Sequence, residues 1–175
     1  MSHKYDPVAK TLHWFIALIL LVMLTLGWTI GDLPLEEKID TLKIHSGLGI
    51  TVLVLMLARL AWRRGHPPPP LPDTMPRWQA IASKANHHSL YLFAILQPIL
   101  GIGQGLFAKI SIMPFGIASL SIGADKTLFK IFHELHELNA FLLIGLISLH
   151  VLAALYNHFG RHNTVLKRML PFVRI

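Results

Sequence analysis

Long uncharged runs dominate the pattern of hydrophobic and polar positions along the chain. An α-helix needs about 20 mostly apolar residues to cross a bilayer core about 30 Å thick. Four runs reach or approach that length, and only Arg59 interrupts one of them. The pattern therefore predicts an all-α integral membrane four-helix bundle, one domain over residues 1–175, with spans at residues 11–31, 44–62, 85–108 and 138–160.

Local signals refine the helix ends and the connections. Asp6 followed by Pro7 predicts an N-cap and a first helical position just before the first span. A proline-rich stretch at residues 66–72 predicts an extended spacer, and residues 74–84 are expected to form a short interfacial helix. The third connection, roughly residues 109–131, is long and has little turn signature.

Composition agrees with the membrane prediction. The mean hydropathy is +0.54, with 53% hydrophobic and only 14% charged residues, which is too apolar for an ordinary soluble domain. The first run lacks a small-x-small cleavage site, so we expect it to stay in the mature protein. The chain has no cysteine, which excludes disulfides, cysteine-ligated iron–sulfur clusters and covalently attached c-type haem. Any redox centre must use histidine, methionine or carboxylate ligands.

Charge predicts the orientation in the membrane. The N-terminal tail, second connection and C-terminal tail hold eleven Lys and Arg residues, with Arg59 counted among them, against two Asp residues. The other two connections hold five Lys against seven acidic residues. Because Lys and Arg favour cytoplasmic loops, both termini of this multi-pass chain are predicted to be cytoplasmic. Membrane lipid explains the formal charge of +7 without any nucleic acid.

Two histidines share one face of the fourth run. His136 and His150 are 14 residues apart, which places them about 40° apart around a helix and about 21 Å apart along it. Polar groups are costly in lipid and usually face the bundle interior. The spacing therefore indicates two stacked cofactors, one toward each side of the membrane. A single buried histidine is more often a hydrogen-bonded core residue, so the cofactor interpretation depends on partners from other spans.

Such partners lie at matching depths. His45 begins the second span on the outer side, like His136, whereas His13 lies toward the cytoplasm, like His150. The predicted pairs are His45 with His136 and His13 with His150. Two axial histidines leave an iron porphyrin no open position, which suits electron transfer rather than oxygen binding. A zinc interpretation is weaker, because each pair would lack two ligands for a closed site.

Several alternatives to these ligands remain. His133 is a rival outer ligand, although it lies about 100° away from the face of His150. His158 is a rival inner ligand near the exit of the fourth span, and Met23 and Met56 are more simply explained as apolar filling.

Arg59 shares a helix face with His45 but lies near the inner leaflet, 14 residues further along. Its side chain either snorkels to the interface or pairs with the carboxylates of an inner cofactor. Both interpretations stay open.

Several motifs together resemble the bacterial cytochrome b561 family over nearly the whole chain. They are Leu12-His13-Trp14, His45 with Gly49, Leu55-Met56 with Arg59-Leu60, the proline run from Pro67, His136-Glu137 with Ala140, Gly145, His150, and Asn163-Thr164 followed by Met169. The resemblance implies a four-helix bundle with two bis-histidine haem b groups. The ligand positions of the family correspond to His13, His45, His136 and His150. Leu135 departs from the superoxide oxidase of the family, which has an aromatic residue there.

The resemblance also implies electron transfer between the periplasmic face and quinone. In the leading interpretation, superoxide is oxidised to oxygen outside and ubiquinone accepts the electrons inside. In the competing interpretation, the chain is an electron-transfer subunit that anchors a periplasmic dehydrogenase or hydrogenase. A haem-free structural or transport bundle is the third class.

Two groups of residues are candidates for substrate contacts. A quinone pocket is expected on the cytoplasmic side among His87, His88, His158 and the start of the first span, because these histidines share a leaflet with the inner pair. Lys126 and Lys130 lie just before the fourth span, four residues apart and on one face if the helix starts early. Positive charge there would steer a small anion toward the outer cofactor, although scattered solvated lysines are the plainer interpretation.

Overall fold

Four long helices and one short helix make up the computed structural model, which describes residues 4–171 and has no strand in that range. They are α1 (Pro7–Thr29), α2 (Leu35–Gly65), α3 (Arg77–Leu106), α4 (Lys126–Leu155) and α5 (Val165–Met169). The four long helices are apolar enough to span a membrane, so the all-α spanning prediction is confirmed. Both chain ends lie outside the described residues. They include Arg174, which is one of the eleven basic residues counted above.

The long helices extend beyond the apolar runs that predicted them. α2 has 31 residues and is therefore about 46 Å long, well above the thickness of a bilayer core. It begins at Leu35 rather than at residue 44, with Glu36 and Glu37 in its first turn. The apolar pattern marks where a helix meets hydrocarbon, whereas the backbone hydrogen bonds continue into water.

The structure differs from the sequence prediction at α3 and agrees with it at α4. Residues 74–84 form no separate interfacial helix, because α3 starts at Arg77 and continues through Pro98. α4 does start early, at Lys126, where the Asp125 side chain caps it by accepting from the amides of Thr127 and Leu128.

The predicted cap of α1 is confirmed. Asp6 Oδ1 accepts from the Ala9 amide at 2.9 Å and from the Trp62 indole at 3.0 Å, which ties the start of α1 to the end of α2. Desolvation alone would raise the pKa of Asp6, but these hydrogen bonds hold that pKa below its usual value. At the same end, the C-terminal segment packs on α1, because Lys10 and Trp14 donate to its backbone carbonyls.

The core lies at the middle of the bundle. Its buried members are Ile16 and Ile19 of α1, Val52 and Met56 of α2, Ala94 of α3 and Leu143 of α4. Met23 packs against this cluster, so both methionines that were rival ligands serve as apolar filling. On α4, Leu143 lies midway between the two candidate ligands, so an apolar layer separates the two ends of the bundle.

Candidate functional site

Two histidine pairs occupy opposite ends of the bundle. The ring centres of His45 and His136 are 6.3 Å apart, and those of His13 and His150 are 6.1 Å apart. A metal between two imidazoles lies about 2 Å from each nitrogen, and each ring centre lies about 1 Å behind its nitrogen. Centres about 6 Å apart therefore leave room for one metal between the rings. We call the two regions the His45 end and the His13 end.

Hydrogen bonds define the tautomer of His136. Its Nδ1 lies 3.0 Å from the Gln97 backbone carbonyl, which can only accept, so Nδ1 carries the proton. Its Nε2 lies 3.0 Å from the amide nitrogen of the Gln97 side chain, which can only donate. Nε2 therefore carries the lone pair and accepts a hydrogen bond from the Gln97 amide. This is the tautomer that binds a metal through Nε2 when a metal takes the place of that hydrogen bond.

Two polar residues that the sequence analysis missed support this histidine. Asn139 is only 3% exposed and donates to Gln97 Oε1 at 2.5 Å and to the Phe93 carbonyl at 3.0 Å. The Gln97 amide also donates to the His136 carbonyl at 3.2 Å. The signal for both residues was an amide side chain inside an apolar span, where polar groups usually face the bundle interior.

Glycines lie beside the rings at the His45 end. A Cβ atom on Gly101 would lie 3.1 Å from Cε1 of His136, and one on Gly27 would lie 3.6 Å from Cε1 of His45. The Nδ1 atom of His45 is buried with no hydrogen-bond partner among the described residues. A buried, unpaired imidazole nitrogen is unusual in a finished protein interior and fits a residue that contacts a bound group.

A third histidine joins the pair at the His13 end. The ring of His87 lies 5.1 Å from that of His150, nearly perpendicular to it, and its Nδ1 donates to the Ser83 carbonyl at 2.6 Å. Arg59 donates to the Ala9 carbonyl at 2.7 Å and so connects α2 to α1. The sequence analysis placed His87 in the expected quinone pocket and not among the ligands.

The other candidate residues lie apart from the pairs. His133 is exposed, contacts Gln104 at 3.2 Å and stacks on Phe129, so the structure does not place it with His45. His88 is exposed on α3. His158 lies in a π-helical turn, Tyr156–Gly160, and its Nδ1 is buried without a partner within residues 4–171.

The two lysines lie in the first turns of α4, at the His45 end. Both are exposed, and Lys130 Nζ lies 3.7 Å from a Glu134 carboxylate oxygen, which offsets part of its charge. In the part of the chain that the structure describes, no three His, Asp or Glu residues cluster closely enough to hold a metal ion. The zinc interpretation therefore has no support from the geometry.

Comparison with known proteins identifies the family. A family model described as prokaryotic cytochrome b561 matches residues 4–172. The chain belongs to the prokaryotic cytochrome b561 family. Probable superoxide oxidase CybB of Yersinia pestis is 30% identical over 98% of each chain. Cytochrome b561 homologs 1 and 2 of Escherichia coli (strain K12) are each 29% identical, over 97% and 95% of this chain and 98% and 91% of their own.

Membership makes the chain a membrane electron-transfer protein of a haem b family, whose ligands are typically two histidines. The residues of this cytochrome b561 fit that group. Each pair has the ring separation that one metal requires, His136 is in the tautomer that ligates through Nε2, and His45 has an unpartnered nitrogen. At the His45 end, Gly101 allows the His136 ring to lie close against α3.

Replacing Gly101 with alanine should disturb the His45 end selectively. The added methyl carbon would lie 3.1 Å from His136 Cε1 and 3.3 Å from its Nδ1, so the ring or α3 must shift. We expect lower haem occupancy or a changed midpoint potential, measured by spectroscopic redox titration. Gly145→Ala is the matched control, because a Cβ there meets no atom within 4 Å. Equal changes in the two variants would contradict the role of Gly101.

Proposed function

We propose that this cytochrome b561 holds two haem b groups, one between His45 and His136 and one between His13 and His150. The observation that carries the proposal is the pair of ring separations, 6.3 and 6.1 Å, at opposite ends of one bundle. Haem b with two imidazole ligands supplies one-electron transfer, since the iron keeps no open position for oxygen. Purified protein should contain two haem b per chain by haemochrome assay. Colourless protein would contradict the proposal.

The surrounding residues have distinct tasks in this proposal. The Gln97 carbonyl orients the His136 ring and makes it a stronger ligand, because a hydrogen bond at Nδ1 raises the basicity of Nε2. The apolar layer around Leu143 excludes water between the two ends. Arg59 reaches the Ala9 carbonyl of α1 at the His13 end, where its positive charge would pair with cofactor carboxylates.

We also propose the leading reaction, in which superoxide is oxidised and ubiquinone is reduced. Two superoxide anions each lose one electron and leave as oxygen, and ubiquinone takes up two electrons and two protons to become ubiquinol. The support is a relative with the printed name probable superoxide oxidase, together with exposed Lys126 and Lys130 at the His45 end. In this proposal the chain lies in a bacterial inner membrane with the His45 end toward the periplasm and both termini in the cytoplasm, and the distribution of Lys and Arg supports that orientation.

Arg59→Leu should lower the midpoint potential of the haem at the His13 end. A nearby positive charge favours the reduced, more electron-rich site, and charge-assisted pairing is local and short-ranged. The other haem should change little in a redox titration. Arg64→Leu is a matched control, because Arg64 is an exposed arginine of the same helix. Equal shifts of both haems would indicate general misfolding instead.

The quinone pocket is proposed at the His13 end, with His158 donating to a quinone carbonyl and His88 at its rim. The support is the buried Nδ1 of His158, which has no partner in the described chain. His158→Ala should slow quinone reduction at low quinone concentration, and His88→Ala should do so less, because His88 is exposed. Unchanged reduction rates in both variants would remove these residues from the site.

A further inference from the structure

The connection between α3 and α4 lies against the side of α2. Its turn, Pro114–Gly116, carries Phe115, whose ring packs directly on Gly47. A Cβ atom on Gly47 would lie only 2.5 Å from the Phe115 ring, so no larger residue allows this contact. We call residues 109–122 the α3–α4 loop.

The contact lies at membrane depth. The apolar run of α2 begins at residue 44, and the loop faces α2 from Gly47 to Leu55. At 1.5 Å per residue, these positions are about 4 and 16 Å below the start of the run, compared with about 15 Å for half of the hydrocarbon core. A loop that reaches these residues enters the leaflet at the His45 end.

The side chains of the loop agree with a lipid environment. Ile117 is 81% exposed and Ile122 is 71% exposed, and Ile110 and Phe115 are about half exposed. Such a concentration of exposed apolar side chains would be unfavourable in a loop surrounded by water.

Part of the loop backbone is internally hydrogen-bonded. The amides of Gly116, Ile117, Leu120 and Ile122 all donate to carbonyls of the loop or of the end of α3, at 2.8 to 3.0 Å. The hydroxyls of Ser111 and Ser119 hydrogen-bond to each other. Irregular backbone in hydrocarbon requires such internal partners, because lipid supplies none.

A cavity of about 460 Å³ separates the loop from α2. Its size is within the range of ligand pockets, about 300 to 1,000 Å³. Nearly all of its lining is apolar and comes from Ile50, Val54 and Leu55 of α2 and from Ile117, Ala118 and Leu120 of the loop. Val54 and Ile117 are both exposed, so the cavity continues into the lipid-facing surface of the span.

We propose that the α3–α4 loop is re-entrant in the leaflet at the His45 end, and that its cavity holds one acyl chain of a phospholipid. An acyl chain is the apolar ligand that reaches this space from the surrounding bilayer. Phe115, with φ of +51° in a region that aromatic residues rarely adopt, pins the loop to Gly47 and keeps the cavity open. The proposal does not depend on the identity of the cofactor.

Spin labelling tests the depth of the loop, and the absence of cysteine makes single-site labelling direct. In liposomes, a nitroxide at Ile117→Cys should be accessible to oxygen and protected from a water-soluble nickel complex. Leu142→Cys on the lipid-facing side of α4 and Glu37→Cys on exposed α2 are the lipid and water controls. Accessibility like that of the Glu37 label would overturn the re-entrant assignment.

Native mass spectrometry of protein extracted from lipid bilayers tests the occupant. The wild type should retain one phospholipid per chain, and both Thr51→Phe and Ala118→Phe, which fill the cavity from opposite sides, should lose it. Leu57→Phe, on exposed α2 outside the cavity lining, should keep it. Retention in both filling variants, a wild type without lipid, or an isoprenoid quinone in place of phospholipid would overturn the assignment.

Discussion

His136→Ala should reduce the haem b content from two groups per chain to one. Removing one imidazole breaks a two-ligand site, and the described structure offers His45 no other histidine at ring-contact distance. His45→Ala should lose the same haem, whereas His13→Ala or His150→Ala should lose the other. Haemochrome assays give the stoichiometry, and low-spin signals in electron paramagnetic resonance show which site remains.

Two control variants make this test decisive. His133→Ala should keep both haems, because His133 is exposed and engaged with Gln104. His87→Ala should also keep both, although its ring is near enough to His150 to change the spectrum of that site. If His136→Ala keeps two haems and His133→Ala loses one, the pairing of His45 with His136 would be refuted. If His87→Ala loses a haem and His13→Ala keeps both, His87 rather than His13 would be assigned as the partner of His150.

Superoxide should reduce the isolated protein directly, with no partner protein. At low salt, Lys126→Glu combined with Lys130→Glu should slow this reduction by about tenfold, since local charge changes encounter rates by at least that factor. The salt dependence should flatten in the double variant. Lys126 should carry more of the effect, because Glu134 lies 3.7 Å from Lys130. Stopped-flow spectroscopy of the haem bands measures the rates.

A control variant and the reaction of the isolated protein distinguish a superoxide-oxidising enzyme from an anchor subunit. Lys84→Glu, an exposed lysine of α3 at the His13 end, should leave the rate unchanged. If superoxide reduces the protein no faster than it reduces free haem, or only after a second protein is added, the enzyme proposal fails. The chain would then be assigned as the electron-transfer subunit of a periplasmic dehydrogenase or hydrogenase.

Depth along the helices was predictable, whereas lateral contacts between helices were not. A rigid helix converts sequence separation into height, so the 14-residue spacing of His136 and His150 predicted which histidines meet. The contacts of Gln97 with Asn139 and of His87 with His150 depend on how each helix is rotated against its neighbour. No local pattern encodes that rotation.

The α3–α4 loop shows most clearly that lateral contacts could not be predicted from the sequence. Its length and weak turn signature predicted only a long connection between spans. Phe115 packs on Gly47, which is 68 positions earlier in the sequence, and each residue alone has an ordinary explanation. Only the assembled bundle brings the aromatic ring and the glycine together.

The contribution of α4 to both histidine pairs has a consequence for biosynthesis. His136 and His150 lie on the last of the four long helices, whereas their partners lie on α2 and α1. Because chains emerge from the ribosome N-terminus first, a nascent chain that lacks α4 has half of each pair and neither pair complete. Insertion of this one helix completes both pairs in the same step. If these pairs hold haem as proposed, a translation product that stops before α4 should contain neither haem.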